Sequence, residues 1–282
     1  MRRIGLVKPL KLLFSIFGAA IPAKFILWED VEAVDFTNLN IKLSKSYSKL
    51  HTLHPSDIAD IIEDLDKKSR TEVFSSLDEE KAADVLEELD PETQVHIVES
   101  LPVEKVADVL EKMPADEVAD LLDELEDDKA ELLLKEMEAD SSQEVRDLLE
   151  YPDNSVGSIM STEVLTYKEI LSVEEVLNDL RNKKPEMEEL YNLFVTDDKD
   201  ELIATFSLRE LILAQPTTLI SEIMKPSPVH LHDYEKLDEV AEMISKYRLL
   251  SIPVIDEENI LQGMVVVDDV VEDLINKRRT NK

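Results

Sequence analysis

The segment ADVLEKMPADEVADLLDEL, residues 107–125, decides how the first half of the chain folds. Its apolar residues come in repeated sets: Val109 and Leu110 precede Met113, and Leu121 and Leu122 precede Leu125. Followed in both directions, the last member of the set returns every twelve positions as Leu65, Leu77, Leu89, Leu101, Met113, Leu125, Met137 and Leu149. Four residues before each stand Ile61, Val73, Val85, Ile97, Val109, Leu121, Leu133 and Val145. One continuous helix is excluded. At about 100° per residue, twelve residues overshoot three full turns by a third of a turn, so successive sets would face three directions. Pro91, Pro102 and Pro114 follow the marker residues by one or two positions, where proline can open a helix but not sit inside one. The pattern predicts helices of about eight to nine residues joined by tight turns and stacked as a right- or left-handed solenoid with a continuous core. Asp66, Asp78, Asp90, Asp116 and Asp140 fall at the junctions, where a carboxylate is expected to cap a helix N-terminus.

Those aspartates are part of a larger imbalance. The 282 residues carry 64 acidic and 31 basic side chains, a formal net charge of −33, and more than half of the excess lies in residues 51–150. Nucleic acid is excluded as a partner, because phosphate binding needs clustered Lys and Arg. The absence of cysteine removes disulfides, thiolate nucleophiles and sulfur-ligated zinc, and four scattered glycines do not make a phosphate-cradling loop. Asp116 and Asp120 are four apart and project from one side of a single helix, where like charges repel by a few tenths of a kcal/mol. Such a surface is either a solvated acidic face or one that awaits a divalent cation. Carboxylates and water suit a hard ion such as Mg²⁺ or Ca²⁺.

The flanking regions have other textures. Residues 12–28, LLFSIFGAAIPAKFILW, are the most apolar run, but they fall short of the roughly 20 apolar residues of a membrane span and contain Pro22 and Lys24. FILWEDVEAVD and NIKLS predict two short strands, a small β element within residues 1–50. From Tyr151 onward one order of elements occurs twice: a short strand (STEVLTY, PSPVHLH), a helix (SVEEVLNDLRNK, KLDEVAEMISKY), an apolar strand (LYNLFVTD, LLSIPVID), a further strand (ELIATFSL, ILQGMVVV) and a closing helix. The apolar runs are continuous rather than alternating, as in a sheet covered on both faces. The chain is therefore expected to be α followed by α/β, with the α/β module in tandem.

LFVTDDKDELIATFSLREL (193–211) and IPVIDEENILQGMVVVDDV (252–270) resemble the two halves of a CBS-domain pair. With the acidic twelve-residue repeat before them and YPDNSVGSIM (151–160) as the joint, they resemble the cytosolic part of the MgtE family of magnesium transporters and channels. KFILWEDVEAVD with NIKLS resembles the end of a PRC-barrel-like domain. The resemblance implies four segments: a PRC-barrel-like remnant (1–50), an acidic helical domain (51–150), a first CBS domain (151–219), and a second CBS domain with a basic tail (220–282). It also implies a cytoplasmic regulatory protein in which Mg²⁺, or another divalent cation, draws the acidic helices and the CBS pair together. Carried onto this chain, the expected ligands are Asp116 and Asp120 on the acidic helix, and Asp269 and Glu272 in VVVDDVVED. One family position departs, since KYRLLSIPV places Arg248 in a loop that often holds an acid, and a guanidinium cannot ligate a metal. A membrane domain would follow the CBS pair in a transporter, whereas EDLINKRRTNK is followed by no apolar run. The expectation is thus a sensor that does not itself conduct ions and acts alone or beside a separately encoded transporter.

CBS pairs also bind adenosine nucleotides, so ATP or AMP is a competing ligand. Ser207, Arg209 and Glu210 are the nearest match to the family's hydroxyl-then-acid nucleotide motif, with Glu in place of Asp. A protein-interaction adaptor is the third reading, and a homodimer through the CBS pair is the expected assembly. His230 and His232 alternate along one strand, a spacing that suggests a metal pair but more often marks an ordinary solvated strand edge. No Ser-His-Asp or lysine-based constellation stands out, and no enzymatic activity is expected.

Overall fold

The computed structural model describes residues 33–35, 40–42, 52–152, 154–237 and 240–271. The run at residues 12–28 and most of the PRC-barrel-like stretch lie outside these. Within that stretch β1 (Ala33–Asp35) pairs antiparallel with β2 (Asn40–Lys42), Val34 opposite Ile41. Among the described residues no helix is long and apolar enough to cross a membrane. The chain divides into two compact units at Met113 and Pro114.

The first unit contains five helices of the repeat: α1 (Pro55–Glu63), α2 (Lys67–Phe74), α3 (Glu79–Glu87), α4 (Pro91–Ser100) and α5 (Val103–Leu110). Each packs on the next but one, α1 on α3, α2 on α4 and α3 on α5, which is how a helix with one apolar stripe finds a partner in a stack. The stripe residues Ile62, Phe74, Leu86 and Val98 are fully buried. The twelve-residue markers lie just past the helices and close their last turns, as when the Leu77 amide donates to the Phe74 carbonyl and the Leu89 amide to that of Leu86. Asp66, Asp78 and Asp90 are N-caps, each accepting from the backbone amide three residues on, as expected. Arg70 adds a polar staple. Its guanidinium donates to the carbonyls of Glu63 and Leu65 at the end of α1 and to the Thr93 hydroxyl of α4, at 2.6, 3.0 and 2.9 Å.

The second unit begins with the last three helices of the repeat: α6 (Ala115–Asp123), α7 (Asp127–Glu136) and α8 (Ala139–Leu149), with α6 packed on α8. The tandem module follows. Its first half has β3 (Thr166–Tyr167), α9 (Val173–Lys183), β4 (Leu193–Thr196), β5 (Leu202–Phe206), α10 (Leu208–Leu213) and α11 (Ile220–Ile223). Its second half has β6 (Lys225–Pro226), β7 (Leu231–His232), α12 (Val240–Tyr247), β8 (Ser251–Ile255), β9 (Leu261–Val266) and helical residues 267–271. The central strands β4 and β8 are buried at every position. Both sheets are mixed, in the orders β3-β4-β5-β6 and β7-β8-β9, with the first step parallel in each.

The halves exchange edges. Strand β6, from the second half, completes the first sheet beside β5, while Ser161, ahead of the first half, pairs with Met264 of β9 through two 2.9 Å backbone bonds. At that crossing only glycine fits at position 263, because a Cβ there would lie 2.4 Å from the Ser161 carbonyl oxygen. The joint at 151–160 is stitched to the second half: the Gly157 and Val156 amides donate to the carbonyls of Asp233 and Glu235, and the Tyr151 hydroxyl reaches the Asp233 carboxylate at 3.3 Å.

Candidate functional site

The acidic side chains gather where α6, the segment after the joint and the closing helix of the second half meet in the second unit. Two of the five junction aspartates are not caps. Pro114 and Glu138 occupy the N-cap positions of α6 and α8, which puts Asp116 and Asp140 one residue inside the first turn. The Asp116 carboxylate keeps a hydrogen bond from its own backbone amide while it faces the acidic side chains around it. One of its carboxylate oxygens is sealed from solvent and has no hydrogen-bond partner. A buried, unpaired carboxylate oxygen is rare and costly.

Its surroundings increase the cost. Burial and the like charges of Asp269, Glu163 and Asp120 raise the Asp116 carboxyl from an ordinary 3.8 to about 8. Asp120 lies one turn along α6 and is exposed, while Asp269 is half-buried on helical residues 267–271. Two of the other expected metal ligands, Asp120 and Asp269, therefore act on Asp116, and Glu272 lies outside the described residues. Glu163 is an addition that the sequence spacing did not single out. It is two residues beyond Ser161, and only the Ser161–Met264 crossing carries it to this place. Its carboxyl is also raised, by desolvation first and then by the charges of Glu189, Glu144, Glu186 and Glu188. Glu144 on α8 accepts a 2.6 Å bond from the Thr162 hydroxyl. It borders a cavity of ≈ 350 Å³ whose wall also includes Asp140, Asp147, Tyr151, Thr162 and Gln262.

Among the described residues, no group of three or more His or acidic side chains is arranged to hold a metal ion directly. The remaining positions are simpler to place. Arg248 is exposed at φ 56°, and among the described residues no carboxylate lies within ion-pair distance of it. Ser207 and Glu210 form a capping box on α10, with the Ser207 hydroxyl 2.8 Å from Glu210, which also pairs with Lys225. Arg209 beside them is exposed.

Comparison with known proteins agrees with this layout. Residues 53–154 match the MgtE intracellular N domain, and residues 156–216 and 220–276 match the CBS domain. A magnesium transporter MgtE from Thermus thermophilus is 40% identical over 129 residues, which are 46% of this chain and 29% of that protein. The chain thus matches less than a third of this relative's length. A crystal structure of the cytosolic domain of the Mg²⁺ channel MgtE in complex with ATP superposes with a TM-score of 0.75 at 34% identity, over 80% of this chain and 92% of that one. The soluble part of a magnesium transporter gives 0.77 at 25% identity, over 83% and 95%. In domain order, sequence and fold alike, the chain belongs to the MgtE family and corresponds to the family's region of N domain and CBS pair.

Proposed function

We propose that the protein is a non-catalytic, cytoplasmic regulator that senses Mg²⁺ through carboxylates shared by its acidic helices and its CBS pair. The observation that carries this reading is the sealed Asp116 oxygen among the charges of Asp269, Glu163 and Asp120. Without a cation these acids repel, and Asp116 must hold a proton or open toward water. A hydrated divalent ion removes both costs. Asp116 and Asp269 are its principal holders, Asp120 and Glu163 add field and water contacts, and Glu272 extends the set. The cation supplies charge neutralisation, and the chain converts it into a closed arrangement of the helices against the CBS pair. The regulated partner is a magnesium transporter, by analogy with the full-length relatives.

Small-angle X-ray scattering tests this. The radius of gyration falls with MgCl₂ but not with KCl at matched ionic strength, and equal responses to the two salts count against it.

A second ligand is supported by the relative crystallised with ATP. An adenosine nucleotide would use Arg209 and the Ser207–Glu210 capping box of the first half, and a thermal shift with ATP or AMP that survives Asp116→Asn checks it. A CBS-mediated homodimer is supported by Ile212 and Leu213, which are 64% and 68% exposed on α10.

A further inference from the structure

The histidine pair of the second half has a geometry that neither ligand above uses. Leu231 is buried and is flanked by His232, on the edge strand β7, and by His230, which immediately precedes that strand. His230 is exposed and His232 half-buried. Their rings stand 5.6 Å apart between centroids, at 90° to each other. A tetrahedral ion about 2.0 Å from one nitrogen of each ring would hold the centroids on the order of 5 Å apart, so the spacing of the two rings matches that of a chelate.

The protonation of one ring is also set. His230 Nδ1 lies 3.0 Å from the Pro228 carbonyl oxygen, which can only accept. Nδ1 therefore carries the proton and Nε2 presents a lone pair, the orientation that metal-binding histidines adopt through a carbonyl partner. Next to His232 is an anion, because the Glu235 carboxylate accepts from the His232 backbone amide at 3.2 Å.

From this geometry we infer that His230 and His232 form a bidentate site for a borderline divalent transition ion of the Zn²⁺ class, completed by water. Two neutral imidazoles select such ions over Mg²⁺, whose chemistry belongs to the carboxylate cluster. The site has a structural connection as well. Asp233, the next residue, receives the Tyr151 hydroxyl and the Gly157 amide, so an ion that fixes His232 stiffens the turn to which the joint is bonded.

The test is competition for Zn²⁺ between a chromophoric chelator and the untagged full chain, at pH 7.5 with excess Mg²⁺ occupying the carboxylates. One Zn²⁺ binds per chain, and His230→Gln or His232→Gln each weakens it at least about tenfold. The control His96→Gln leaves it unchanged, and the Mg²⁺ response of all three variants matches the parent. Equal Zn²⁺ affinity in the parent and in the His230→Gln and His232→Gln variants, or no stoichiometric binding in the parent, would overturn the inference.

Discussion

Replacing Asp116 by Asn should stabilise the metal-free protein, which is the reverse of what most substitutions at a half-buried site do. Asn keeps the shape and removes the charge, while exchanging one acceptor oxygen for an amide NH₂. Burial and three acidic neighbours raise the Asp116 carboxyl from 3.8 to about 8. The sign follows from which state releases the proton more readily. Below pH 3.8 the group is neutral whether folded or unfolded and costs nothing. As pH rises toward 8 the unfolded chain ionises freely while the folded chain does not, so stability is progressively lost. At 1.36 kcal/mol per unit the loss near pH 7.5 has an upper bound of about 5 kcal/mol. Water at the open side of the cluster reduces this to about 2–3 kcal/mol, and to below about 1 kcal/mol at pH 5. In thermal unfolding followed by circular dichroism in EDTA, the variant should melt about 5–10 °C above the parent at pH 7.5, with little difference at pH 5. Saturating Mg²⁺ should then narrow the gap by stabilising the parent alone. A variant that melts at or below the parent at pH 7.5, or a gap that does not grow with pH, would refute the reasoning.

Two further substitutions test the frame that holds the site. Gly263→Ala forces a Cβ to 2.4 Å from the Ser161 carbonyl oxygen, a backbone atom with no room to rotate away. It should cost about 1–3 kcal/mol in urea unfolding and weaken Mg²⁺ binding by moving Glu163. Arg70→Met leaves the carbonyls of Glu63 and Leu65 and the Thr93 hydroxyl without their donor. A loss of about 2–4 kcal/mol is expected, with faster amide exchange across α1–α4 and unchanged exchange in β4 and β8.

Regular features were the most legible in the sequence. The twelve-residue beat fixed the short helices because every unit must bury the same stripe, and the three N-cap aspartates followed from the helix starts they serve. The tandem module was equally readable, since continuous apolar runs at β4 and β8 leave few alternatives. What could not be read were the consequences of long-range pairing. Glu163 is an ordinary acid in a polar segment until Ser161 pairs with Met264, about a hundred residues away. Asp116 has the sequence signature of a cap, but Pro114 takes the cap position and leaves Asp116 inside the first turn, with one carboxylate oxygen buried and unpartnered. The His230–His232 spacing was visible, but the bond from Nδ1 to Pro228 that frees Nε2 depends on a backbone bend that spacing does not encode.

The most direct test of the central claim is calorimetric titration of MgCl₂ into the parent and into Asp116→Asn combined with Asp269→Asn, at pH 7.5 and constant ionic strength. The account predicts saturable binding in the parent that is weakened at least about tenfold in the double variant. Equal Mg²⁺ affinity in the two proteins would contradict it.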